Sequence, residues 1–176
     1  MKRLLFFCIL IVIIMSSSGC LSGGDDVKIN LSGTEEQALT LDDIKDLPYV
    51  EGYGGRKNSV GQITLPVPYK GVPLTEIYEL DHEITEDSAI RIIAEDGYIA
   101  TFSYNQFVLG DFVTYDEEGN EITAGELTII LAYEEDGKDV IDGPLRVVII
   151  GPNGPITDGH WWVRYVSEIE AVNIEQ

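Results

Sequence analysis

The chain has 176 residues, 44% of them hydrophobic, and a formal net charge of −20 from 31 acidic and 11 basic side chains. That length allows one domain with a full-sized core, and that apolar content excludes a disordered chain. The charge excludes nucleic acid and anionic lipid headgroups as partners, because such a surface repels both.

Residues 1–19 read as a signal peptide: Lys2-Arg3, an apolar run from Leu4 to Met15, then Ser16-Ser-Ser-Gly19. The run is too short to span a bilayer as a helix. Ser17-Ser-Gly-Cys20 resembles a lipobox, in which cleavage leaves Cys20 as the lipidated N-terminus. Ser17 stands where a large aliphatic residue is usual, and ordinary cleavage beside an incidental cysteine is the alternative. The polar stretch Leu21-Ser-Gly-Gly-Asp-Asp26 has the composition of a flexible tether, which favours the anchor. Residues 20–26 are therefore expected to tie a single domain, 27–176, to the extracytoplasmic face of the cell membrane without spanning it. The two cysteines, Cys8 and Cys20, both fall in this leading segment. The domain itself is left with no disulfide framework and no thiolate zinc site.

Alternation predicts a first strand over Val27–Leu31. Thr40 caps a helix ending before Pro48, with Asp43 at the capping-box position and Leu41, Ile44 and Leu47 on one face. Tyr49–Tyr53 is extended, Gly54–Ser59 reads as a polar loop, and Val60–Tyr69 is a strand that Pro66 and Pro68 assign to a sheet edge. A second helix starts at Gly71 with Pro73 in its first turn. Ala89–Ala94 and Tyr98–Phe102 form a hairpin around Asp96-Gly97. Ser103 caps a third helix running to Leu109. Strands follow at Phe112–Tyr115, Leu127–Tyr133, Leu145–Ile150 and Trp162–Ile174, separated by acidic turns. The sum is an α+β fold: a mostly β mixed sheet with short inserted helices.

Several stretches together resemble the sulfite-oxidase-type oxidoreductase molybdopterin-binding domain family. Leu39-Thr-Leu-Asp-Asp-Ile-Lys-Asp-Leu-Pro48 looks like its opening helix and Tyr69-Lys-Gly-Val-Pro-Leu-Thr-Glu-Ile77 like the next. Ile93-Ala-Glu-Asp-Gly-Tyr98 with Phe107-Val-Leu109 is similar to its middle hairpin and helix. Asp142-Gly-Pro-Leu-Arg-Val-Val-Ile-Ile-Gly151 and Trp162-Val-Arg-Tyr-Val-Ser-Glu-Ile-Glu170 look like its closing strands. The resemblance covers nearly the whole domain and implies the family's fold. It would also imply molybdopterin as cofactor, with molybdenum ligated by a cysteine after the first helix. Here that region, Glu51-Gly-Tyr-Gly-Gly-Arg-Lys-Asn-Ser-Val60, holds no cysteine, and Trp161 replaces the usual lysine before the tryptophan–valine pair. The residues therefore lead to an expectation of no cofactor and of a binding or structural module. An oxidoreductase with altered metal ligation is the alternative, and fold analogy alone does not choose it.

If a pterin phosphate is bound, Arg56, Lys57, Arg146 and Arg164 are the candidate cationic clamps, and Arg56, Lys57, His160 and Arg164 should meet in one pocket. The Gly-rich setting of Arg56-Lys57 reads equally as an anion cradle or as a solvent-facing hairpin tip. His160 is read as a ligand-site residue or as a loop histidine beside a core tryptophan. On a strand, a core-facing Trp162 turns Trp161 outward, as an interaction surface for a protein partner. Asp116-Glu-Glu-Gly-Asn-Glu121 and Glu134-Glu-Asp-Gly-Lys-Asp139 are rich in oxygen ligands. Their spacing is that of hairpin turns, not of an EF-hand.

Overall fold

The structure, a computed structural model, describes residues 28–32, 37–123, 125–140 and 143–173. The signal peptide, Cys20 and the tether lie outside them, as do Val27 and Ile174. No described helix is long and apolar enough to cross a membrane.

The chain opens with β1 (Lys28–Ser32), β2 (Gln37–Thr40), α1 (Leu41–Lys45), β3 (Val50–Lys57), β4 (Ile63–Pro73) and α2 (Leu74–Tyr78). The hairpin β5 (Ser88–Ala94) and β6 (Ile99–Ser103) leads to α3 (Tyr104–Phe107), β7 (Thr114–Tyr115) and β8 (Glu121–Ile122). The remainder is β9 (Thr128–Glu135), β10 (Lys138–Asp139), β11 (Arg146–Ile150), β12 (Ile156–Asp158), a 3-10 turn (Gly159–Trp161) and β13 (Val166–Asn173).

The α+β expectation is corrected by this content. The described α-helices have four or five residues each, and two mixed sheets, not one, make the body. A helix of one turn cannot present a full apolar stripe, so it fills a corner between strands instead of forming a layer. The first sheet runs β2-β1-β13-β5-β6, with β1 parallel to β13. Its strands β1 and β6 alternate exposed and buried residues, as expected where one face meets the core and the other meets water. The second runs β10-β9-β4-β3-β12-β7-β8, with β11 also paired to β9 and with β12 parallel to β3. This sheet curls until Tyr53 on β3 exchanges two backbone hydrogen bonds with Gly151, just past β11. All five residues of β11 are consequently buried.

Local chemistry accounts for several boundaries. The Thr40 hydroxyl accepts from Asp43 N–H, and the Asp43 carboxylate accepts from Thr40 N–H at 2.8 Å, so two N–H donors at the start of α1 are satisfied. β4 is not an edge strand: it lies between β3 and β9. Its pairing with β9 covers only Tyr69–Pro73, so Pro66 and Pro68 occupy the half that has a single neighbour. The segment expected as a polar loop after Tyr53 continues β3 to Lys57. Gly54 serves a close approach there, since a Cβ at this position would sit 2.5 Å from the Ile149 carbonyl oxygen. The final strand begins at Val166, because the 3-10 turn and Tyr165, at φ 52°, come before it.

Candidate functional site

β3 and β12 run side by side and end together, with Arg56 opposite Thr157 and Lys57 opposite Asp158. Beyond their ends the 3-10 turn and residues 162–165 cross toward the first sheet. Between the two sheets lies a cleft of about 690 Å³, and Arg56, Lys57, His160 and Arg164 all line it. The structure thus places in one cleft the four residues expected to share a pocket. It does so by a parallel pairing of segments far apart in the chain.

The four are held differently. Arg56 stacks over the Trp162 ring, its guanidinium carbon 5.9 Å from the centroid. Lys57 is committed to the neighbouring turn: its ammonium lies 3.9 Å from the Tyr115 ring centroid and donates to Gly119 O at 3.1 Å. Tyr115 in turn donates from its hydroxyl to the Asp158 carboxylate. His160 is exposed, with its ring 4.2 Å from that of Trp161, and its carbonyl accepts from the Tyr98 hydroxyl at 2.7 Å. That bond ties the tip of the β5–β6 hairpin to the 3-10 turn and so joins the two sheets across the cleft. Arg164 is exposed on the same wall, between the buried Val163 and the exposed Tyr165.

Trp162 forms the floor. It is buried and donates from Nε1 to Thr157 Oγ1 at 2.8 Å. Tyr69 meets its ring edge-on at 5.6 Å, and the Arg146 guanidinium carbon lies 5.5 Å from its centroid. Arg146 is only 2% exposed, and its Nη1 reaches Glu135 at 3.5 Å. The other Glu135 oxygen accepts from the Tyr69 hydroxyl at 2.9 Å. One carboxylate therefore serves a buried guanidinium and a buried phenol directly beneath the cleft.

Burial pushes the Tyr69 phenol well above the ordinary tyrosine value; the Arg146 charge opposes the shift and the Glu135 charge adds to it. The unfolded chain then ionises this phenol first. Its contribution to stability is complete below about pH 10 and is lost as the pH rises further, by up to about 1.4 kcal/mol per pH unit for one proton. Urea titrations between pH 9 and 12 should therefore show a shallower alkaline loss of stability for Tyr69→Phe than for the parent. Parallel curves would remove Tyr69 as the cause.

Trp161 does not line the cleft. It sits in the 3-10 turn, half-buried, with its ring 5.2 Å from Phe102 and 6.0 Å from Phe112. The strand alternation that would have turned it outward does not apply there. Arg146, also a candidate clamp, does not line the cleft but is buried beneath it. Tyr98, Tyr165 and Thr157 were not singled out from the sequence, and neither was the pairing of Arg146 with Glu135; only the Asp96-Gly97 turn gave a local signal, at Tyr98. Among the described residues no group of three or more His, Cys, Asp or Glu is placed to hold a metal ion. The Asp116 turn is closed by its own bonds, since Asn120 donates from its backbone and its side chain to the Asp116 carboxylate.

No family model matches the chain, and no curated protein does. Among solved structures the chain is similar to the sulfane dehydrogenase SoxCD from Paracoccus pantotrophus, with a TM-score of 0.60 and 15% sequence identity over 82% of this chain. The match takes in 37% of the SoxCD chain, so this protein spans little more than a third of that length. At such identity the likeness is one of fold alone: the chain shares the fold of that part of SoxCD.

Proposed function

We propose that the chain is a lipid-anchored extracytoplasmic binding module, tethered through Cys20, whose inter-sheet cleft takes an anionic ligand without molybdenum chemistry. The observation that carries this reading is the convergence of Arg56, His160 and Arg164 on one cleft, whose lining among the described residues contains no sulfur. Guanidinium groups present several fixed donors to a phosphate or carboxylate, and a partly enclosed site strengthens their attraction.

Only part of a metal–pterin cofactor would suit these residues. The cations fit its phosphate end. The metal end needs a soft thiolate, and the cleft offers amides, hydroxyls, carboxylates, an imidazole and cationic nitrogens. The segment where the resemblance would place that thiolate is closed on itself: Asn58 Oδ1 accepts from Val60 N–H at 3.1 Å and Gln62 N–H at 2.8 Å. The metal does not fit, and no reaction step is assigned to it. An oxidoreductase with altered ligation would need the same convergence of cations, so metal content is what separates the two readings.

One preparation tests both. The full chain is produced in a host that makes molybdopterin, and the membrane fraction is collected. Mass spectrometry of the N-terminal peptide should find acyl groups on Cys20. Elemental assay should find neither molybdenum nor tungsten. Calorimetry should detect pyrophosphate binding, weakened about tenfold, or 1.4 kcal/mol, in Arg56→Ala. Near-stoichiometric molybdenum would overturn the metal-free reading, and equal affinity in Arg56→Ala would overturn the cleft as the anion site.

A further inference from the structure

A strand at a sheet edge carries unpaired N–H and C=O groups, and proteins usually blunt such edges with charge, proline, bulges or shortness. In the second sheet the outer strands β8 and β10 have two residues each and carry Glu121, Lys138 and Asp139. β6 differs. It closes one side of the first sheet with five residues, Ile99-Ala-Thr-Phe-Ser103, that contain no charge, no proline and no register shift.

The ladder with β5 decides which groups point outward. Ala94 N–H donates to Tyr98 O, directly opposite, so the bonded pairs continue at Ile92–Ala100 and Ile90–Phe102. The N–H and C=O of Ile99 and Thr101 therefore face away from β5, and no described residue bonds them. The side chains sort by the same alternation. Ile99, 53% exposed, and Thr101 point to solvent, while Phe102 points inward. Beside Phe102 lie the half-buried rings of Phe112 and Trp161, with centroids 6.3 and 5.2 Å from it. An added strand would place its inward side chains against the accessible part of this cluster, Phe112 and Trp161.

The occupant follows from charge. A second copy of the chain would bring together two bodies that each carry a formal −20. Glu95 and Asp96, both exposed, stand at the start of β6 and add to that repulsion. A basic strand meets attraction at the same place. We infer that β6 is a docking edge for an extended segment of a basic protein partner. The segment pairs with the N–H and C=O groups of Ile99 and Thr101, and its apolar side chains rest on the half-buried Phe112 and Trp161. This inference is independent of what the cleft binds.

The test uses the full chain, solubilised in a neutral detergent, and two capped octapeptides of alternating Lys, Val and Thr, the second with Glu in place of every Lys. Amide exchange is followed by NMR. In the free protein the Ile99 and Thr101 amides should exchange fast beside slow Ala100 and Phe102. The lysine peptide should slow Ile99 and Thr101 about tenfold or more, and the glutamate peptide should not. Thr101→Pro deletes an N–H that makes no bond in the free protein, so the fold should persist while peptide protection is lost. Thr101→Lys, which leaves the backbone intact, should weaken the lysine peptide in the same way. Thr101→Val, which keeps the N–H, should bind like the parent. The inference fails if the two amides are already slow in the free monomer, if the lysine peptide gives no protection, or if both peptides protect equally. Protection that instead grows with protein concentration, with a dimer in sedimentation, would assign the edge to a second copy and overturn the basic partner.

Discussion

Gly71→Ala is expected to melt about 10 °C below the parent, a loss of about 3 kcal/mol for a domain of this size. Gly71 lies on β4 between β3 and β9, at a register shift in the β4–β9 ladder. A Cβ there would lie 2.3 Å from the Leu131 carbonyl oxygen and 2.6 Å from the Ala132 Cα. Both atoms belong to the backbone of β9, so no side chain can swing aside to relieve the clash. The strands would have to part, which strains hydrogen bonds and opens a fully buried core around Val72, Leu131 and Ala132. Gly125→Ala is the matched control: nothing lies within 4 Å of a Cβ at Gly125, and its melting point should stay within about 2 °C of the parent. Differential scanning calorimetry of the two variants decides the matter. If Gly71→Ala melts with the control, β4 and β9 do not approach as closely as the structure has them.

The same glycine shows which parts of the fold were legible. Gly71-Val-Pro-Leu74 read as the start of a helix, because Gly and Pro are punctuation in a local reading. In the structure Gly71 is demanded by a neighbouring strand, and the helix waits until Leu74. Gly54 and Gly55 misled in the same way, and with them Arg56 and Lys57 were placed in a loop when they continue β3. Features with local causes came through. The Asp96-Gly97 hairpin, the capping boxes at Thr40 and Ser103 and the apolar run of β11 all stand where the sequence put them. Strands of two or three residues, such as β7, β8, β10 and β12, are too short for any periodicity to register. The cleft depends on one of these, since β12 carries the 3-10 turn and His160 to the end of β3. Parallel pairing of that kind has no turn signal between its strands. The convergence of Arg56 with His160 and Arg164 was expected only through resemblance to a family, not from spacing.

Glu135→Ala is expected to cost about 3 kcal/mol, the second large effect, because it removes the carboxylate from a pair whose other member is buried. Arg146 is 2% exposed, on a strand whose residues are all buried, and it faces Glu135 at 3.5 Å. Water cannot take over readily, so the guanidinium loses the share of charge compensation that Glu135 supplies inside the core. Tyr69 loses the acceptor of its hydroxyl in the same change. Glu135→Gln keeps an oxygen for that hydroxyl and a similar volume, so its cost should be smaller than that of the alanine variant. Urea unfolding gives the order, and tryptophan emission gives the consequence for the cleft. Arg146 and Arg56 both lie against Trp162, so an Arg146 deprived of Glu135 should shift the floor against which Arg56 is stacked. The alanine variant should then weaken pyrophosphate binding although Glu135 does not line the cleft. Full stability in Glu135→Ala would mean that other contacts of Arg146 balance its charge. The floor of the cleft would then owe its position to the Trp162–Thr157 hydrogen bond and the Tyr69 ring instead.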